Sequence, residues 1–267
     1  MRDKEVKWTY VIPAINEATE MIAVGRDGTT TLIKQEGWRQ TMVGTLSLYG
    51  QGTKRQHTVY MACSPEKGKA TFDSLLDREI EQIRIRYPDS TMVGLGDGAK
   101  DNWTFLNPRT DIQILDYYHV CENLNKYSEI AFNGQKARDR WKEWSENQLL
   151  NRRRGVQSII KEMNYSRATI RGKTNQGKIG AIIAYFQNNR HRMKYKKYIS
   201  MGYPIGSGVT EAACKVIVKQ RLCCSGMRWS RFGADDVLLA RGLRYSDGRW
   251  DQFWHKFDQY GFSFTSN

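Results

Sequence analysis

No stretch of this 267-residue chain approaches the roughly 18 uninterrupted apolar residues that a membrane-spanning helix needs, and its start, MRDKEVKWTY, lacks an apolar signal-peptide core. The expectation is a soluble, cytoplasmic protein with no membrane partner. Its five cysteines, Cys63, Cys121, Cys214, Cys223 and Cys224, are odd in number and lack the paired spacing of a zinc site, which points to reduced, mostly buried thiols. Internal repeats and low-complexity tracts are absent. Acidic residues are in short supply: 28 Asp+Glu face 42 Lys+Arg, a net charge of +14. That balance points to a polyanionic partner. What is present, 40% hydrophobic residues, suffices for a full core in one large domain or one domain with an insertion.

The excess charge is concentrated. Residues 134–200 hold 17 Lys/Arg against 4 Asp/Glu, so this segment carries +13 of the +14. A merely solvated helical surface is the plain alternative, but a block of one sign repels itself unless a partner screens it. Ahead of it the pattern alternates with period two. EMIAVGRDG is an apolar run closing on Asp27-Gly28, and WRQTMVGTLSLYG and RQHTVYMACS are strand-like segments split by the hairpin turn GQGTK. From Lys69 to Tyr87 the apolar residues fall at helical spacing until Pro88. TMVGLGDG and IQILDYY read as two short buried strands, and from Ala131 onward the pattern is helical. The order β-β-β-α-β-α-β-α matches an α/β ribonuclease H-like core: a mixed five-stranded sheet flanked by helices, with a basic all-helical insertion before the last catalytic helix. The segments are a lead-in over 1–20, the first part of the core over 21–133, the insertion over 134–200, and the last part of the core over 201–267.

Carboxylates on rigid elements of such a core can hold two divalent ions that act on a phosphodiester. Asp27 is expected at the end of the first strand, Asp97 at the end of the fourth, and Asp116 at the end of the fifth, each a candidate ligand or only a strand end and helix cap. On the late helix TEAACKVIVKQRL, Glu211 falls away from the apolar stripe of Ala212, Ala213, Val216 and Ile217, with Lys215 and Lys219 on its flank. A plain Glu–Lys surface pair would look the same. Ahead of it, PIGSG sets Ser207 at the helix start, where free N–H groups suit an anion. Arg152, Arg153, Arg154, Arg190, Arg192, Lys194, Lys196 and Lys197 are the candidate phosphate contacts. The aromatic stripe Trp250, Phe253, Trp254 and Phe257 reads as packing surface.

The boxes GRDGTT, WRQTMVGTLSLY, YPDSTMVGLGDGAKDNW, LDYYHVCENL and above all PIGSGVTEAACKVIVKQRLCCSGMRWS resemble the DDE transposases of bacterial insertion sequences, in the group often called Kra-type and distantly similar to Mutator-like enzymes. The resemblance runs in order from about Asp27 to Trp254. It implies a metal-binding triad of Asp27, Asp97 and Glu211 holding two Mg²⁺ or Mn²⁺ ions, cleavage and strand transfer at element ends, DNA as partner, a dimer when assembled on DNA, and a place in the bacterial cytoplasm at the nucleoid. The family's Asp-x-x-His box implies a structural or near-site role for Asp116 and His119. Relatives usually carry a DNA-binding extension before the core, and only 26 residues precede Asp27, so the basic segment is expected to take more of the DNA binding. Two other readings use the same residues: a ribonuclease H-like nuclease that only hydrolyses, and an inactive DNA-binding remnant.

Overall fold

The computed structural model describes residues 5, 7–15 and 17–261, so residues 1–4, 6 and 16 of the expected lead-in lie outside the described residues. Three long strands, β1 (Met21–Ile33), β2 (Gly37–Tyr49) and β3 (Arg55–Cys63), pair as an antiparallel meander. After α1 (Ala70–Arg86) come β4 (Thr91–Gly96), α2 (Lys100–Leu106) and β5 (Ile112–Leu115). The strands stand in the order β3-β2-β1-β4-β5, a mixed five-stranded sheet in an α/β chain. Helices α3 (Tyr117–Ala131), α4 (Gln135–Asn151), α5 (Gly155–Thr169), α6 (Lys173–Asn189) and α7 (Tyr195–Ser200) follow. The helix α8 runs through Gly208–Ala213, a wider π-wound stretch Cys214–Lys219 and a last turn Gln220–Leu222. Helices α9 (Arg231–Tyr245) and α10 (Arg249–Tyr260) complete the described chain. Among the described residues no helix is long and apolar enough to cross a membrane.

Two compact units divide the chain, one ending at Val93 and resuming at Gly208, the other Gly94–Ser207, with the boundary inside β4. In the first unit the meander is covered on both faces. Arg26, Gly44 and Met61 look toward α1, whose Phe72, Leu75, Leu76, Ile80 and Ile83 are buried at helical spacing. Arg26 itself is 1% exposed, and Asp73 of α1 takes its guanidinium at 3.0 Å. The opposite face carries Val43 and Ala62, which pack with Ala213, Cys214, Ile217, Val218 and Leu222 of α8 and with Ala234 and Leu238 of α9. Of the aromatic stripe of α10, Phe253 is fully buried beside Tyr10, Leu239 and Leu243, with Trp250 and Phe257 packed against it, whereas Trp254 is exposed.

Two expectations need correction. Asp27 does not end the first strand. Gly28 stays extended opposite Met42, and the ladder continues to Ile33↔Gly37, held by the buried contact of Thr31 and Thr41 hydroxyls at 2.7 Å. The Asp-Gly pair resembles a turn, yet the chain reverses only at Gln35 and Gly37, both at positive φ. The inward stripe of α8 also differs. Ala212 is exposed, and the buried residues are Thr210, Ala213, Cys214, Ile217, Val218 and Leu222. Regular 3.6-residue spacing would bring Arg221 inward after Val218; the π turn adds one residue, so Leu222 takes that place. The Gln220 N–H reaches back five residues to the Lys215 carbonyl, and the Val216 carbonyl accepts from Arg241 of α9.

In the second unit, α4, α5 and α6 pack side by side, with Ile159, Met163, Ile179, Ile183 and Phe186 buried between them. Trp141 stands against Tyr127 at 4.7 Å and Trp144 at 5.1 Å between ring centroids. Two tyrosines tie α7 to β5: Tyr195 donates to the Leu115 carbonyl at 2.9 Å and Tyr198 to that of Gln113 at 3.2 Å.

In the first unit, Arg249 of α10 and Glu79 of α1 form a two-pronged buried pair at 3.0 and 2.6 Å. Arg249→Ala leaves the buried Glu79 carboxylate with only the longer Arg78 ion pair at 3.8 Å and is expected to lower the unfolding free energy by about 3 kcal/mol, whereas the volume-matched pair Glu79→Leu with Arg249→Met recovers most of it. Chemical denaturation of the three proteins checks this.

Candidate carboxylate site and basic cleft

The first unit sets Asp27 beneath α8. Successive residues of β1 alternate faces, so Gly25 and Asp27 look toward α8 while Arg26 looks away. A Cβ on Gly25 would lie 1.9 Å from the Thr210 hydroxyl oxygen, so only glycine permits the helix to come this close. The Thr210 hydroxyl meets that of Thr45, which pairs with Gly25 across the ladder, at 2.7 Å. One turn further along α8, the Cys214 thiol donates to Asp27 Oδ2 at 3.6 Å, and Asp27 Oδ1 accepts from the Gly28 N–H at 2.6 Å. Burial pushes the Cys214 thiol up, and the charges of Asp27 and Glu211 add to it against the opposing effect of Lys219. The thiol three residues beyond Glu211 on α8 thus meets Asp27 of β1, 187 residues away in the chain. Glu211, Lys215 and Lys219 are exposed on α8.

The second unit holds the other two aspartates, and they differ. Asp97 follows directly on β4, where its Oδ1 accepts from the Ala99 N–H and from Asn102 Nδ2, both at 3.0 Å. Its Oδ2 has no protein partner among the described residues, so this carboxylate is fixed on one side and open on the other. Asp116 is fully buried and spent. Its Oδ1 caps α3 by accepting from the His119 N–H at 2.9 Å, and its Oδ2 accepts from both the Ser207 N–H and the Ser207 hydroxyl, the latter at 2.7 Å. The Tyr117 N–H donates to the Ile205 carbonyl, completing a clamp between the start of α3 and the segment Ile205–Ser207. Asp116 is thus a strand end and helix cap in this unit. Ser207, expected to offer its N–H to an anion, has given that N–H to Asp116. His119 is half-buried, with Nδ1 3.4 Å from Glu122.

Sequence reasoning passed over three residues here. Cys214 and Asn102 lie within the boxes, three residues from Glu211 and five from Asp97, but neither type marks a ligand by itself. Tyr185 of α6 carries no local signal. Its ring lies so close over Gly98 that a Cβ there would fall 2.4 Å from it. Its hydroxyl is buried without a hydrogen-bond partner among the described residues, and burial with Asp97, Asp116 and Glu122 nearby keeps the phenol protonated well above its usual range.

The basic candidates are mostly gathered. Arg152, Arg153, Arg190, Lys194, Lys196 and Lys197 line one open cleft in the second unit, and its lining among the described residues includes no acidic residue. Among the described residues none of these six is in an ion pair. The local potential is felt by His191, whose imidazole is pushed down by burial and by Arg192, Lys194 and Arg190. Arg154 is exposed beside the cleft residues in sequence but does not line it. Arg192 is a correction: it is 8% exposed, stacks on Trp103 at 4.1 Å and donates to Asn107 at 3.1 Å and Asn189 at 3.2 Å. Its charge serves packing in this unit instead of reaching a phosphate.

Within its own unit, each of Asp27 and Asp97 is a carboxylate whose orientation is held by hydrogen bonds from the protein, as an oxygen ligand for a hard divalent ion would be. If the cleft binds nucleic-acid phosphates, replacing Arg152, Arg153, Lys196 and Lys197 together by Ala is expected to flatten the slope of log K against log salt by about 0.9 for each phosphate no longer neutralised. Arg192→Ala is expected to lower the melting temperature and leave the slope in place. Fluorescence anisotropy with a labelled duplex over a salt series, alongside thermal melts, reads both. Comparison of the chain with family models, with curated proteins and with solved structures finds no match.

Proposed function

We propose that this chain is a DDE-type transposase with a ribonuclease H-like core, which cleaves DNA at the ends of a mobile element and joins them to target DNA. The observation that carries the reading is the seat of α8 on β1: three residues beyond Glu211 on that helix, the Cys214 thiol meets the Asp27 carboxylate. Asp27, Asp97 and Glu211 would hold two Mg²⁺ or Mn²⁺ ions. Such ions make a water or hydroxyl nucleophilic and stabilise the leaving oxygen of an in-line displacement.

The protein's own part is placement. The Gly28 N–H and the Cys214 thiol orient Asp27, while the Ala99 N–H and Asn102 orient Asp97 and leave one of its oxygens free. The unpaired cations of the cleft would neutralise backbone phosphates and so hold a duplex without choosing its sequence. In the first step water attacks the phosphodiester at the element end and leaves a 3′-hydroxyl. In the second that hydroxyl attacks a target phosphodiester, the new P–O bond replacing the old one, with the target's own 3′-oxygen as leaving group. Two copies of the chain on paired ends would suit a reaction that joins both, in the bacterial cytoplasm where the nucleoid supplies the target.

The test is a labelled, pre-cleaved DNA end incubated with the protein, Mn²⁺ or Mg²⁺ and a supercoiled target. Joined product is expected, and Asp27→Asn, Asp97→Asn and Glu211→Gln should each reduce it by about a hundred- to a thousandfold, the scale on which loss of charge stabilisation acts in such sites, with duplex binding retained. Nicking without joining would point to a nuclease that only hydrolyses. Equal joining by any of the three variants would remove that residue from the triad.

A further inference from the structure

We infer that Cys214 is a positioning residue for Asp27: its thiol holds the carboxylate in the one orientation from which its remaining lone pairs can reach a divalent ion. This rests on the reading of Asp27 as a metal ligand, and adds to it a residue whose type is otherwise unexplained.

The geometry places two demands on position 214. It belongs to the apolar layer of Ala213, Ile217, Val218, Val43 and Ile33, and is 5% exposed. It also stands 3.6 Å from Asp27 Oδ2, on the side of the carboxylate opposite the Gly28 N–H that occupies Oδ1. Alanine or valine would satisfy the first demand and leave Oδ2 unsupported, free to turn about the terminal side-chain torsion, which is broad and weakly restrained in aspartate. Serine would satisfy the second at the cost of a hydroxyl in an apolar layer. Cysteine meets both, because a thiol packs as a small apolar group and still carries a weak donor.

The backbone is arranged for the same contact. The π-wound stretch begins at Cys214, and Gly25 lets the preceding turn of α8 descend onto β1, so the thiol arrives at Asp27 from a helix seated at van der Waals limits. Single π turns inside α-helices gather at functional sites. Here the winding keeps Cys214, Ile217 and Val218 facing inward and brings Leu222 to the layer's far end, so the π turn serves the same buried face on which the thiol lies.

The experiment uses the full chain as wild type, Cys214→Ala, Cys214→Val, Cys214→Ser and Asp27→Asn. Two quantities are read: Mn²⁺ binding to the protein alone, by the loss of free-ion paramagnetic signal, and the Mn²⁺ concentration for half-maximal cleavage of a labelled element end. Thermal melts report folding, with Val as the variant that keeps the packing. Removing a partner of a metal-ligating side chain typically costs about 10–100-fold in metal affinity, and the weak thiol donor places Cys214→Ala and Cys214→Val near the lower end, about tenfold, with the rate at saturating Mn²⁺ changed much less. Cys214→Ser should recover most of the Mn²⁺ affinity even where it melts lower, a split that a packing role would not produce. Wild-type Mn²⁺ titration by Cys214→Val, or serine performing no better than valine, overturns the inference while leaving the triad intact. Unchanged Mn²⁺ binding and cleavage by Asp27→Asn, or no Mn²⁺ binding by the wild-type chain, overturns the reading of Asp27 and the role of Cys214 with it.

Discussion

Helix α8 can lie on β1 only because nothing projects from Gly25. A single methyl group there would occupy the position of the Thr210 hydroxyl, and the helix would have to rise from the sheet. With it would go the Thr45–Thr210 contact, the approach of Cys214 to Asp27, and the layer in which Ile217, Val218 and Leu222 meet Val43, Ala62, Ala234 and Leu238. Close packing makes this an all-or-none matter, since interiors at crystal-like density take up a displaced helix poorly. The candidate chemistry and the core of the first unit thus depend on the same missing side chain.

Charge is handled in two ways along the chain. In the first unit, buried cations are paired: Arg26 with Asp73 and Arg249 with Glu79, each held by more than one hydrogen bond. Those guanidiniums are part of the fold, because an unpaired charge at such burial would be prohibitive. In the second unit Arg192 follows the same logic, lying on Trp103 with two asparagine acceptors. The six cations of the cleft do not. They stand exposed and unpaired around one hollow, an arrangement that adds self-repulsion to the fold and is relieved by an anionic partner.

The two aspartates that follow β4 and β5 illustrate how one residue type acquires different roles. Both come directly after an apolar run, and both accept a backbone N–H two or three residues on. Asp116 additionally takes both donors of Ser207, so each of its oxygens is bound and its side chain is sealed from water. Asp97 keeps an oxygen open. A carboxylate already saturated by protein donors has little to offer a cation, whereas one held on a single side is prepared for it.

The five strands, the order of the helices and the concentration of basic residues in 134–200 could be read from the chain, because period-two and period-3.6 patterns and local charge are written in neighbouring residues. The candidate carboxylates could be named for a similar reason: each closes or interrupts an apolar run within a recognisable box. Other features depended on partners far away in sequence. That Asp27 lies inside a strand was decided by Met42 and Thr41 across the ladder; that Arg192 is packing and Arg190 cleft was decided by Trp103 and Asn107; and that Ser207 belongs to Asp116 was decided by a contact spanning 91 residues. The π turn that trades Arg221 for Leu222 follows from what α8 must bury against β1 and α9, with Arg241 taking the Val216 carbonyl. Local pattern sets which face an element wants to bury, but which donor meets which acceptor is settled only when distant elements pack, since a hydrogen bond is decided over a few tenths of an ångström and periodicity carries no such information.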